Sequence, residues 1–162
     1  MDGAFIAVTN YGVYCLIVIV ILMWWQRGQR VERRNTCIVA ALSFLMSLAF
    51  NQALLLFIHR VRPYDAGVSQ LLIAANADWS FPSDHATAVS AIVAGFWFRG
   101  FHRAAGFLLI AALIVCFSRV YVGAHYVSDV MGGVAIGILS SFVISRCYKN
   151  DSWYARNLVR LL

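Results

Sequence analysis

Between two long apolar runs, residues 118–129 read Ser118-Arg119-Val120-Tyr121-Val122-Gly123-Ala124-His125-Tyr126-Val127-Ser128-Asp129, placing a cation, an imidazole and a carboxylate in one short segment. With a helix starting near Ala124, His125 and Asp129 share one face, so the carboxylate can accept the proton of one ring nitrogen. The other nitrogen is then free to attack an electrophile. Arg119 supplies a planar, permanently charged fork suited to phosphate or carboxylate. Two further clusters carry groups of the same kind: His59-Arg60-Val61-Arg62-Pro63 and Pro82-Ser83-Asp84-His85. Pro82 suits the first turn of a helix, and a helix N-terminus beside a serine hydroxyl is a phosphate cradle.

The elements that position these groups follow from composition. Of 162 residues, 62% are hydrophobic and 12% charged, outside the range of soluble domains and within that of polytopic membrane proteins. In such a chain ionisable groups are costly and mark function. Five apolar segments stand out: Ala4 to Trp25, Thr36 to Ile58, Phe81 to Phe98, Ala104 to Ser118 and Tyr126 to Ser145. The first two carry no charge and are each long enough to span a bilayer. The expected fold is an all-α transmembrane bundle of about five spans, forming a single domain over residues 1–162. The first segment follows Met-Asp-Gly with no basic n-region and no small-residue cleavage site, so it is expected to remain as the first span. Cys15, Cys37, Cys116 and Cys147 are scattered without metal-ligand spacing and read as small core residues rather than a disulfide framework.

Five spans put Arg27, Arg30, Arg33, Arg34, Arg99, Arg103, Arg146, Lys149, Arg156 and Arg160 on one side, which the positive-inside rule makes cytoplasmic. The N-terminus is then outside and the C-terminus inside. The outer side holds only Arg60, Arg62 and Arg119 among the basic residues, together with Asp2, Asp65, Asp78, Asp84 and Asp129. Trp24, Trp25, Trp97 and Trp153 fall near the inner boundary and Trp79 near the outer, as interfacial anchors do. The net charge of +6 reads as orientation and affinity for anionic headgroups, with no need of a nucleic-acid partner. All three polar clusters converge on the outer face. Gly133-xxx-Gly137 is expected to allow close helix packing, and Asp151 to Leu162 to form a short amphipathic helix on the inner surface.

Arg62-Pro63, Pro82-Ser83-Asp84-His85 and Ser118-Arg119-x5-His125-x3-Asp129 resemble the three signature motifs of the type 2 phosphatidic-acid phosphatase superfamily, the third at every position. The resemblance covers roughly Leu54 to Asp129. Within the superfamily, Phe81-Pro82-Ser83-Asp84-His85-Ala86-Thr87 most resembles the bacitracin-resistance type of undecaprenyl-diphosphate phosphatase, where aspartate replaces the more usual glycine before the histidine. The resemblance implies His125 as nucleophile, Asp129 as the group that fixes its tautomer, and His85 as general acid and then base. It implies Arg62, Arg119, Ser83 and the amides near Asp84 as phosphoryl ligands, with no metal or other cofactor required. One position departs from the pattern: the first motif usually opens with a lysine seven residues before the arginine, and Leu55 stands there. Arg60 is the expected replacement. Asp84 beside a phosphate is repulsive unless it points away or pairs with Arg60.

Blander readings exist for each residue taken singly. Arg60 or Arg62 alone reads as a snorkelling interfacial cation, His59 as an ordinary interfacial histidine, and His102 as bystander surface in the opposite loop. A metal site from His59, His85 and His125 competes, but the adjacent arginines would repel a cation. The combined expectation is a plasma-membrane lipid phosphatase, active at the outer leaflet on a polyprenyl diphosphate, most naturally undecaprenyl diphosphate. The alternatives are a phosphatase for phosphatidic acid or phosphatidylglycerol phosphate, and a non-catalytic lipid-diphosphate binder or carrier. Oligomeric state is left open.

Overall fold

Both prolines of the chain, Pro63 and Pro82, fall between residues 56 and 83, and the long proline-free runs on either side are helical. The structure is a computed structural model that describes residues 1–26 and 29–148. Its elements are α1 (Asp2–Met23), α2 (Arg30–Leu55), α3 (Asp84–Phe98), α4 (His102–Tyr121) and α5 (Val127–Cys147), with no strand among the described residues. The all-helical expectation holds. Two starting points differ from it. Helix α5 begins at Val127 rather than near Ala124, leaving His125 in the turn before it, and α3 begins at Asp84 with Ser83 as its N-cap, so Pro82 precedes the helix.

Helices α1, α2, α4 and α5 are each long and apolar enough to cross a membrane. Helix α3, at 15 residues, reaches about 22 Å, short of a hydrocarbon core of about 30 Å. It sits centrally instead, packed by α2, α4 and α5, and every residue from Ala86 to Ile92 is buried. The third segment is thus a short core helix wrapped by the others. Helix α1 packs chiefly on α4 and buries only Thr9, Leu16 and Met23, a single stripe at seven-residue spacing.

Association of helices in lipid depends on close approach, because apolar surface gains little by leaving lipid for protein. Gly133 and Gly137 on α5 provide it. A Cβ at Gly133 would lie 2.6 Å from the Ser83 carbonyl oxygen, and one at Gly137 would lie 2.1 Å from Ser90 Oγ and 2.5 Å from the Thr87 carbonyl oxygen. Buried hydroxyls bond their own helix, as Ser43 does to the Val39 carbonyl and Ser90 to that of Ala86, each at 2.7 Å. Of the four free cysteines Cys37 is buried, while Cys15 and Cys147 lie on outer helix faces, so the expectation of core cysteines holds only in part.

The two ends of the bundle differ in chemistry. At one, Arg34 stacks over Trp24 at 5.2 Å, Arg33 over Phe101 at 5.9 Å and Arg99 over Tyr148 at 5.9 Å, while Tyr148 donates to Asn35 Oδ1 at 3.0 Å. Arg27, Lys149, Trp153, Arg156 and Arg160, and the amphipathic helix expected over Asp151 to Leu162, lie outside the described residues. The other end is roofed by the connection 56–83. Leu72 N–H donates to the Val122 carbonyl at 3.1 Å and Ser69 Oγ to that of Gly123 at 3.0 Å, tying the connection to the α4–α5 turn. Gly123, at φ +74°, permits this contact, since a Cβ there would stand 2.3 Å from the Gln70 carbonyl oxygen.

Candidate active site

Three backbone features bring the polar clusters together under this roof. The last turn of α4 carries Arg119, whose carbonyl accepts the amides of both Ala124 and His125 at 3.2 and 3.3 Å, folding the chain so that His125 faces back towards α4. Ser83 donates its amide to the Asp129 carbonyl at 3.1 Å, fixing the start of α3 against the start of α5. Arg62 is anchored by Nε to the Asp78 carbonyl at 2.8 Å and by Nη1 to that of Ala124 at 3.1 Å. The result is a small cavity of about 60 Å³ lined by Arg62, Pro82, Asp84, His85, Arg119 and His125, with Leu55, Asn76, Asp78 and Trp79 completing the wall.

His125 is 5% exposed, and its Nδ1 lies 2.8 Å from the Ser80 carbonyl oxygen. A carbonyl oxygen only accepts, so Nδ1 carries the hydrogen and Nε2 of the neutral ring holds the lone pair. Nε2 stands 3.4 Å from Arg62 Nη1. Burial pushes the imidazole below its ordinary pKa of 6.5. Arg119 and Arg62 act in the same direction, against the opposing influence of Asp129 and the Ser80 carbonyl. A ring that stays neutral and presents an unprotonated Nε2 beside two guanidiniums can attack phosphorus.

Asp129 differs from the expected geometry. Its nearest oxygen is 3.8 Å from His125 Nδ1, too far for a hydrogen bond. The carboxylate, fully buried, is satisfied elsewhere: Oδ1 by Arg60 Nη1 at 2.6 Å, and Oδ2 by Ser80 Oγ at 2.5 Å and the Tyr126 amide at 2.9 Å. The reason is the helix start. With α5 beginning at Val127, Asp129 caps its first turn, and His125, ahead of the helix, does not share the expected face.

Arg60, expected to replace the lysine, is not part of the cavity wall. Its guanidinium bonds Asp129 and Ser128 and stacks over Tyr126 at 4.2 Å, because a buried carboxylate requires a cation more than the already basic cavity does. Leu55 does face the cavity, at the position where the motif carries lysine. Asp84 is turned towards α2, accepting from Asn51 Nδ2 at 2.9 Å and Gln52 Nε2 at 3.4 Å, and is not paired with Arg60. His59 stacks on Trp79 at 4.9 Å and is absent from the cavity wall, and His102 packs on Trp97 at 4.6 Å beside the arginine-rich end.

Two buried donors beside the cavity have no acceptor among the described residues: Ser83 Oγ and Arg119 Nε. Together with Arg62 they make an arrangement fit for a tetrahedral oxyanion. Sequence reasoning missed Ser80 and Asn51. A signal existed for each: Ser80 is a small polar residue three positions before Ser83, and Asn51, with Gln52 beside it, is an amide in a largely apolar span.

The PAP2 superfamily model matches residues 36–153. The chain belongs to this superfamily. It is similar to undecaprenyl-diphosphatase BcrC of Bacillus subtilis, with 34% identity over 90% of this chain and 74% of that protein. It is also similar to a putative undecaprenyl-diphosphatase, YbjG, of Escherichia coli, with 31% identity over 93% and 78%. Among solved structures it matches a transmembrane PAP2-type phosphatidylglycerolphosphate phosphatase from Bacillus subtilis, with a TM-score of 0.67 and 26% identity over 94% of this chain and 79% of that one. Membership in the PAP2 superfamily makes this chain a multi-pass membrane lipid phosphatase, in agreement with its four long apolar helices.

Proposed function

We propose that the chain, acting as a single domain, removes the terminal phosphate of a polyprenyl diphosphate, most naturally undecaprenyl diphosphate, through a phosphohistidine on His125. The observation that carries this reading is the pairing of an unprotonated His125 Nε2 with Arg62 and Arg119 around one phosphoryl-sized cavity. Nε2 attacks the terminal phosphorus while the two arginines and Ser83 Oγ hold the non-bridging oxygens, and the P–O bond to the lipid monophosphate breaks. His85, in the same wall, protonates that leaving oxygen, then takes a proton from the water that cleaves the phosphohistidine and releases inorganic phosphate. Fixed guanidiniums provide the charge stabilisation here, so the reaction proceeds without a metal.

The names of the relatives in Bacillus subtilis and Escherichia coli support the diphosphate substrate. The positive-inside distribution of arginines supports a plasma-membrane protein with the site at the outer leaflet, N-terminus outside and C-terminus in the cytoplasm. A site at helix ends suits a lipid whose tail remains in the bilayer while its phosphates enter the cavity. The matched structure, a phosphatidylglycerolphosphate phosphatase, favours a phospholipid monoester as the second reading.

The deciding experiment is phosphate release by purified protein in detergent with EDTA, comparing undecaprenyl diphosphate with phosphatidic acid and with a His125→Ala control. Release that prefers the diphosphate, survives EDTA and vanishes in the variant supports the proposal. Preference for phosphatidic acid selects the second reading, and no release from either lipid points to a binder or carrier.

A further inference from the structure

Ser80 spends every polar group it has on the machinery around His125. Its amide donates to the Arg60 carbonyl at 2.8 Å, its carbonyl accepts His125 Nδ1–H at 2.8 Å, and its hydroxyl donates to Asp129 Oδ2 at 2.5 Å. It is fully buried, and its carbonyl takes the Nδ1 hydrogen that Asp129, 3.8 Å away, does not reach. From this geometry we infer that Ser80 is a positioning residue: its carbonyl holds His125 in the tautomer that frees Nε2, and its hydroxyl transmits the hold of Asp129 to that carbonyl. Asp129 therefore orients the imidazole through Ser80. The inference rests on the reading of His125 as the nucleophile.

The hydroxyl has a second consequence. Bonded to Ser80 Oγ, the Tyr126 amide and Arg60, the Asp129 carboxylate favours an imidazolium 3.8 Å away less than an unpartnered carboxylate would. The other groups facing His125 are Arg62 from the connection, Arg119 from α4, His85 and Asp84 from the first turn of α3, and Asp78 in the roof. The two arginines oppose the imidazolium. Removing the Ser80 hydroxyl leaves Oδ2 with one donor fewer and favours the charged ring, so His125 should titrate at higher pH. A residue serving only to fill space would not move that titration.

The test uses the full chain in detergent with heavy-nitrogen-labelled histidine, following His125 by NMR against pH in wild type, Ser80→Ala and Ser80→Cys, with His125→Gln to assign the signal. Wild type should carry its hydrogen on Nδ1. Ser80→Ala should move the His125 titration upwards, and Ser80→Cys, similar in size with a weaker donor, should move it partway. On undecaprenyl diphosphate, Ser80→Ala should lower kcat by about 10- to 100-fold with KM little changed, the range found when the partner orienting a ligating imidazole is removed. A wild-type ring protonated on Nε2, or an unmoved titration in Ser80→Ala, overturns the inference. If Ser80→Ala does not fold, the Ser80→Cys titration decides in its place. NMR reads the tautomer without substrate, so absence of phosphate release by wild type would sink the functional reading and leave this result standing.

Discussion

Arg60 Nη1 lies 2.6 Å from Asp129 Oδ1, which makes Arg60 the counter-ion of a buried carboxylate. The motif-adjacent cation thus pairs with Asp129, and the cations that line the cavity are Arg62 and Arg119.

Arg60→Ala should therefore act on stability before substrate affinity. It leaves a fully buried carboxylate without its cation, but the Arg60 side chain is 38% exposed and partly screened, so about 2 kcal/mol is expected rather than the larger loss of a wholly buried pair. Thermal unfolding in detergent should shift downwards while KM for the lipid stays near wild type. A large rise in KM with unchanged stability would return Arg60 to the substrate site.

Arg119 offers a sharper probe of phosphoryl binding, since its Nε is buried with no acceptor among the described residues. Replacement by lysine keeps the charge and loses the planar fork, and should lower kcat by about 10²- to 10³-fold, comparable to deleting one oxyanion donor. Phosphate-release rates compare the two directly. Arg62 is less clean, because its anchors at Asp78 and Ala124 also hold the roof.

The pH dependence has a defined sign. The nucleophile must be neutral, and burial reinforced by Arg119 and Arg62 lowers the His125 pKa from 6.5. Activity gated by this ring is present above the lowered value and lost as pH falls through it, so the acid limb of kcat/KM should lie below 6.5. An acid limb at or above that value in the wild type would contradict the assignment.

Close packing of α3 on α5 predicts a contrast between two glycines. Gly137→Ala puts a methyl 2.1 Å from Ser90 Oγ and 2.5 Å from the Thr87 carbonyl oxygen, and should destabilise by about 1–3 kcal/mol. Gly106→Ala, on α4 with nothing within 4 Å of its Cβ, should be neutral or slightly stabilising. Thermal unfolding of the pair checks both.

The residues of the candidate site were legible in the sequence because ionisable side chains in an apolar chain have few bland explanations. Arg62, Ser83, His85, Arg119 and His125 all meet at one end of the bundle, as their clustering implied, and the helical architecture followed from unbroken apolar runs. Partner choice was another matter. Whether Asp129 touches His125 depends on a helix start two residues after the histidine, and that start is set by the Tyr126–Asp129 cap and by the Ser83 amide docking on the Asp129 carbonyl. The destination of Arg60 likewise depends on where a buried negative charge needs compensation. That α3 is wrapped so closely reflects glycines of α5 meeting Ser83, Thr87 and Ser90 across an interface that only folding creates. Local composition determines which groups are present and at which end of a helix. Hydrogen-bond partners between distant segments are decided by the competition of all buried donors and acceptors at once, and that competition exists only in the packed bundle.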